Sequence, residues 1–304
     1  DILDKLDTNA NFIELSEGQF IAITEKLRKQ LQLMNRVLDA KMRGNMHLSE
    51  TIEDLSNDLD SFKADKAWLE NLKRIKKIRD TTYEVPKTFE AQLRPYQLEG
   101  YQWLARLSEW GVGACLADDM GLGKTLQTIA FIASKLEENP QEKVLIVCPG
   151  SLIYNWKNEV AKFYDESLLY IHHGIKRNFG DFLSSNHAIC VTSYATLRND
   201  IEIFSSIVWN TVVLDESHNI KNISTLTTKS VFKLIAKNKV ALSGTPIMNN
   251  TFDLYAQFNF VLPDFLGGQE FFKREYANPI DKHRDENKVQ LLSKLTAPFI
   301  LRRT

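Results

Sequence analysis

The stretch Ala117-Asp118-Asp119-Met120-Gly121-Leu122-Gly123-Lys124-Thr125 decides how this chain folds. It follows a short apolar run at 114–117 and opens a helical-length stretch at 124–136, the context a phosphate-binding loop requires. Gly121 and Gly123 let backbone N–H groups approach phosphates with no Cβ in the way. The helix opening near Lys124 adds the positive end of its dipole. Lys124 brings a point charge for the β- and γ-phosphates, and Thr125 a hydroxyl for Mg²⁺. Asp119, Met120 and Leu122 complete the loop. The general pattern has glycine where this chain has Asp118, so a strict pattern search would pass the site by.

Around this loop the pattern alternates. Apolar runs at 144–148, 188–191, 212–214 and 240–242 are separated by helical-length stretches at 152–163 and 225–235. Such alternation predicts βαβ units and a mostly parallel sheet covered on both faces, an α/β fold with ligands at the carboxyl ends of the strands. The chemistry-bearing residues fall there. Ninety residues beyond Thr125, Val212-Val213-Leu214 runs into Asp215-Glu216-Ser217-His218. After a phosphate loop, Asp215 is expected to hold Mg²⁺ through water, and Glu216 to orient the attacking water. Leu242-Ser243-Gly244-Thr245-Pro246 ends a further apolar run. The Ser243 and Thr245 hydroxyls are expected to reach Asp215 or His218 and relay nucleotide state to a neighbouring surface. His218 reads as a relay rather than a metal ligand, because the other histidines lack ligand spacing. His172-His173 reads as a strand end.

In order and spacing, these residues resemble the Swi/Snf family of helicase-like DNA translocases, within superfamily two. The resemblance rests on Leu93-Arg94-Pro95-Tyr96-Gln97, the Asp-Asp-Met-Gly-Leu-Gly-Lys-Thr loop, Asp215-Glu216-Ser217-His218 with Asn219-Ile220-Lys221-Asn222, and Gly244-Thr245-Pro246-Ile247-Met248-Asn249-Asn250 leading to Phe258, Phe260, Leu262 and Pro263. The closing Pro298-Phe299-Ile300-Leu301-Arg302-Arg303-Thr304 is like the family's run-out from its first lobe. The resemblance implies a RecA-like P-loop lobe over residues 89–304, with ATP and Mg²⁺ as cofactors and double-stranded DNA as partner. It implies that Gln97 recognises adenine and that Pro149, Ser151, Thr192, Ser193, Tyr194 and Asn249 line the DNA track. Ser217 stands where many relatives carry Ala or Gly. Two other readings share the motifs: an RNA-directed helicase lobe, and a non-catalytic ATP-sensing adaptor.

Residues 1–88 differ from the rest and are expected to form an accessory region. Phe12–Leu15 and Gln19–Ile23 flank Ser16-Glu17-Gly18 as a short hairpin, and helices are expected from about Thr24, Ser49 and Lys66. Lys73, Arg74, Lys76, Lys77 and Arg79 read as a solvated helix face rather than a DNA contact. Lys+Arg 38 against Asp+Glu 39 argues against a uniformly basic nucleic-acid binder while leaving room for a local groove. Three cysteines in apolar runs read as reduced buried thiols of an intracellular protein, placed in the cytoplasm at the bacterial nucleoid. No apolar run approaches the ~18–20 residues that span a bilayer, so no membrane partner is expected. After Pro246 there remain 58 residues, against about 150 for a second RecA-like lobe. The chain therefore reads as part of a longer motor whose second lobe is absent here, able to bind ATP but hydrolysing it slowly.

Overall fold

Seven strands pair into one sheet in the order β5-β6-β4-β7-β8-β3-β9, and every pairing is parallel. They are β3 (Ala114–Leu116), β4 (Val144–Cys148), β5 (Leu169–His172), β6 (Ile189–Ser193), β7 (Val208–Leu214), β8 (Ile235–Leu242) and β9 (Ile300–Leu301). The computed structural model describes residues 12–16, 19–22, 66–244 and 251–304. The chain divides into two compact units, 1–77 and 78–304. In the first, β1 (Phe12–Ser16) and β2 (Gln19–Ala22) form an antiparallel hairpin, as the sequence predicts. The helices expected from Thr24 and Ser49 lie outside the described residues. Helix α1 (Lys66–Asp80) runs across the boundary. It buries Leu72, Ile75 and Ile78 at every third position and exposes Lys73, Arg74, Lys76, Lys77 and Arg79.

In the second unit the phosphate loop follows β3 and leads into α3 (Lys124–Glu138), after α2 (Pro95–Trp110). Pro95 pre-sets the first turn of α2, and Gly111 ends it in a left-handed conformation at φ 84°. The connections β3→β4 through α3, and β4→β5 through α4 (Ile153–Phe163), step one way along the sheet; every later connection steps back. Right-handed crossovers therefore put α3 and α4 on one face. The later helices α5 (Tyr194–Asn199), α6 (Leu226–Phe232) and α7 (Thr251–Val261) go to the other face, ahead of α8 (Glu286–Thr296), which precedes β9. Packing agrees: α3 lies against α2 and α4, and α6 against α5 and α7. Strands β4 and β6 are buried along their whole length, which is why β4 reads as an unbroken apolar run and β6 as one up to Val191, before Thr192 and Ser193.

One expectation needs correction. The helix predicted over 225–235 stops at Phe232, because Ile235 already pairs with Val208 as the first residue of β8. The edge strands β5 and β9 escaped periodicity: β9 has two residues and β5 sits half-exposed beside β6. His172 is nonetheless the last residue of β5, as its reading as a strand end required.

Candidate nucleotide-binding site

The carboxyl ends of β3 and β7, with β8 between them, carry the site. After β3 the chain turns through Gly121 at φ 87° and Gly123 at φ 79°, left-handed conformations that cost a residue with a Cβ about 1–2 kcal/mol. Gly123 also leaves space. A Cβ there would stand 2.6 Å from Gln97 Nε2. Gln97 is buried over the loop, its Oε1 accepting from the Arg94 amide at 3.0 Å and its Nε2 donating to the Leu122 carbonyl at 3.3 Å. Lys124 Nζ donates back to the Asp118 carbonyl at 2.6 Å and the Asp119 carbonyl at 3.2 Å, drawing the loop around its own ammonium. Thr125, half-buried, sits in the first turn of α3, and Met120 stands 80% exposed at the loop's tip.

Asp215 leaves the end of β7 with both carboxylate oxygens engaged. Oδ1 accepts from the Glu216 amide at 2.9 Å, and Oδ2 accepts from Trp156 Nε1 at 2.8 Å. Burial pushes its carboxyl above the ordinary value; the Trp156 and Glu216 donors act against that, Glu216's charge adds to it, and Lys124 lowers it. Lys124, Asp215 and Glu216 thus share one electrostatic neighbourhood. A buried carboxylate held this way gains from a cation beside it. Among the described residues no three His, Cys, Asp or Glu side chains converge as a metal cluster. The donors present, Asp215 and the Thr125 hydroxyl, are few, hard oxygens, and they fit Mg²⁺, which keeps most of its own water. Glu216 adopts φ 48°, ψ 56°, a left-handed backbone rare for a non-glycine residue, and its Oε2 lies 3.2 Å from His218 Nδ1.

Ser217 is fully buried, with Oγ donating to Gln257 Oε1 of α7 at 2.9 Å, so the hydroxyl has a partner waiting on the next layer. Ser243 is buried at the end of β8, its amide donating to the Leu116 carbonyl at 3.1 Å. Thr245 and Asn249 lie outside the described residues. The other track candidates divide. Ser151 is exposed and Pro149 half-buried at the end of β4. Thr192 is buried with Oγ1 donating to the His172 carbonyl at 2.8 Å, and Ser193 Oγ caps α5 by accepting from the Thr196 amide at 3.1 Å. Tyr194 points inward, its hydroxyl donating to the Asp215 carbonyl at 2.8 Å. Trp156, Gln127, Gln257 and the Asp118–Arg303 pair were not singled out from sequence. Gln127 gave a usable signal, as a polar residue amid the buried run of α3; an indole donor inside an apolar helix face gives none.

The fold and the loop define the class: a P-loop nucleotide-binding lobe of the RecA-like type. The chain belongs to the SNF2 family, whose model, described as SNF2-related domain, matches residues 96–304. It is 41% identical over 226 residues to YwqA of Bacillus subtilis, assigned as an ATP-dependent helicase/translocase, covering 73% of this chain and 24% of that protein. It is 37% identical over 277 residues to the TATA-binding protein-associated factor 172 of Homo sapiens, covering 82% of this chain and 15% of that one. Among solved structures, the Sulfolobus solfataricus SWI2/SNF2 ATPase core in complex with dsDNA superposes with a TM-score of 0.67 at 38% identity, over 74% of this chain and 47% of that chain. The chain thus spans under half the length of the relatives and the structure it matches. Among the described residues no helix is long and apolar enough to cross a membrane.

Proposed function

We propose that this chain is the ATP-binding lobe of a DNA-stimulated ATPase that translocates on duplex DNA to remodel protein–DNA complexes. The observation that carries the reading is the gathering of Lys124, Asp215 and Glu216 at the carboxyl ends of β3 and β7. The amides around Gly121 and Gly123 and the start of α3 cradle the phosphates, and Lys124 exchanges its loop carbonyls for phosphate oxygens. Thr125 and Asp215 hold Mg²⁺, which when bound supplies positive charge to the phosphate oxygens. Glu216 accepts a proton from the attacking water, with His218 fixing its carboxylate. Gln97 reads adenine beside the loop it already touches.

Duplex DNA runs past the ends of β4 and β6. Ser151 and the amides near Gly150 meet phosphates, giving affinity without sequence preference. Trp156 and Tyr194, one on the helix after each of those loops, carry the contact to Asp215. Residues 1–88 form an accessory region. A second RecA-like lobe, beyond these 304 residues, supplies an arginine finger worth about 10³–10⁵ in turnover. The present lobe binds ATP but turns it over slowly alone, since its own Arg303 is committed to Asp118.

The test is ATP turnover with and without duplex DNA, for this chain and for one extended past Thr304. Turnover confined to the extended chain and accelerated by DNA is the expected result. If single-stranded RNA stimulates in place of DNA, the chain is an RNA-directed lobe; if neither nucleic acid acts, the translocase reading fails.

A further inference from the structure

Asp118 stands at the root of the phosphate loop with no exposed surface, and a buried carboxylate must be paired. Arg303 pairs it from 185 residues away in sequence. The Arg303 amide and Nε both donate to Asp118 Oδ1 at 3.0 Å, while Nη2 donates to Oδ2, so the guanidinium grips both oxygens. The backbone replies, with the Asp119 amide donating to the Arg303 carbonyl at 2.9 Å. The same guanidinium goes further. Nη1 donates to the Tyr96 carbonyl, the group lies 5.5 Å from the Tyr96 ring centre, and Nη2 reaches Gln127 Oε1 at 2.7 Å. Gln127 Nε2 in turn donates to the Gly123 carbonyl at 3.2 Å. Gly100 makes room for this, since a Cβ there would stand 1.8 Å from Gln127 Oε1 and 2.7 Å from Arg303 Nη2.

One side chain therefore ties three segments together: the loop root, the first turn of α3, and the Tyr96-Gln97 segment at the adenine end. We propose that Arg303 is a positioning residue that holds the adenine-reading segment in register with the phosphate loop. The inference rests on the ATP-site reading above. Separated segments that must grip two ends of one ligand bind it well only when their spacing is fixed beforehand. Lysine cannot do this, because a single ammonium lacks the planar fork that spans Asp118, Gln127 and the Tyr96 carbonyl at once.

The test uses the 304-residue chain with Arg303→Lys and Arg303→Met, a fluorescent ADP analogue, and competition by unlabelled ADP or GDP. Urea melts run alongside. The expected result is an analogue Kd raised about tenfold in both variants, a loss in the range set by hydrogen bonds to charged groups. The preference for ADP over GDP narrows as well. Should Arg303→Met fail to melt cooperatively, Arg303→Lys, which keeps the charge, decides. Variants that melt earlier yet bind with unchanged Kd and base preference would overturn the proposal, leaving Arg303 a strut for β9. An unsubstituted chain that binds no analogue would instead overturn the ATP-site reading itself, and the inference with it.

Discussion

Replacing Trp156 with Phe keeps most of a fully buried ring but removes the N–H that Asp215 Oδ2 accepts at 2.8 Å. Losing a hydrogen bond to a charged group costs about 1.5–3 kcal/mol, so urea melts should show a loss of that size. A freed carboxylate also holds Mg²⁺ less well, and the Mg²⁺ concentration giving half-maximal binding of an ADP analogue should rise about tenfold, as loss of supporting partners does at metal sites. A melt shift with no change in Mg²⁺ dependence would reduce Trp156 to a core residue. Glu216 poses the reverse question, because its backbone rather than its partners carries the cost. At φ 48° a β-branched residue is worse off than Glu, and Gly better. Glu216→Val should lose about 1–2 kcal/mol and Glu216→Gly none. Equal losses in the two melts would mean that the Glu216–His218 contact, not backbone strain, sets stability here.

Elements differ in how far their sequence announces them. Strands β4 and β6 are buried end to end, so the apolar runs at 144–148 and 188–191 sufficed; β9 is two residues long and exists because β3 offers it an edge. The phosphate loop was legible because its spacing encodes backbone shape, and Asp215-Glu216 because they end an apolar strand. The Asp118–Arg303 and Trp156–Asp215 contacts were not, since nothing local records a partner 185 or 59 residues away. Thr192 and Ser193 were legible as a motif, yet their hydroxyls serve β5 and the start of α5. Helix α2 tests this long-range dependence. Alanine for glycine inside a helix ordinarily gains about 1 kcal/mol. At Gly100 the new methyl must displace Gln127 and Arg303 from each other, so Gly100→Ala should instead lose about 1–2 kcal/mol of stability. Gly150→Ala, with nothing within 4 Å of its Cβ, should be near neutral in the same melts. A stabilising Gly100→Ala would refute the close packing there.

At the scale of the molecule, three thiols report whether the sheet unfolds as one body. Cys115, Cys148 and Cys190 lie on β3, β4 and β6, spread across the sheet, each fully buried and free. Burial pushes the Cys115 and Cys148 thiols up to about 12 and raises Cys190 as well. The nucleophile in alkylation is the thiolate, so the folded chain should be inert to iodoacetamide at pH 8 on both counts, access and ionisation. Label then enters only through opening of the sheet. Strands β3 and β6 are separated by β4, β7 and β8, and a cooperative unit cannot release one end while keeping the other. Brief alkylation across a urea gradient, read by intact mass, should therefore give chains with no label or three. Singly labelled chains at Cys115 would place β3, with the phosphate loop it carries, in a weaker unit than the centre. In that case the loop would owe its shape to the Arg303 tie more than to the sheet, and Arg303→Lys should raise the singly labelled fraction.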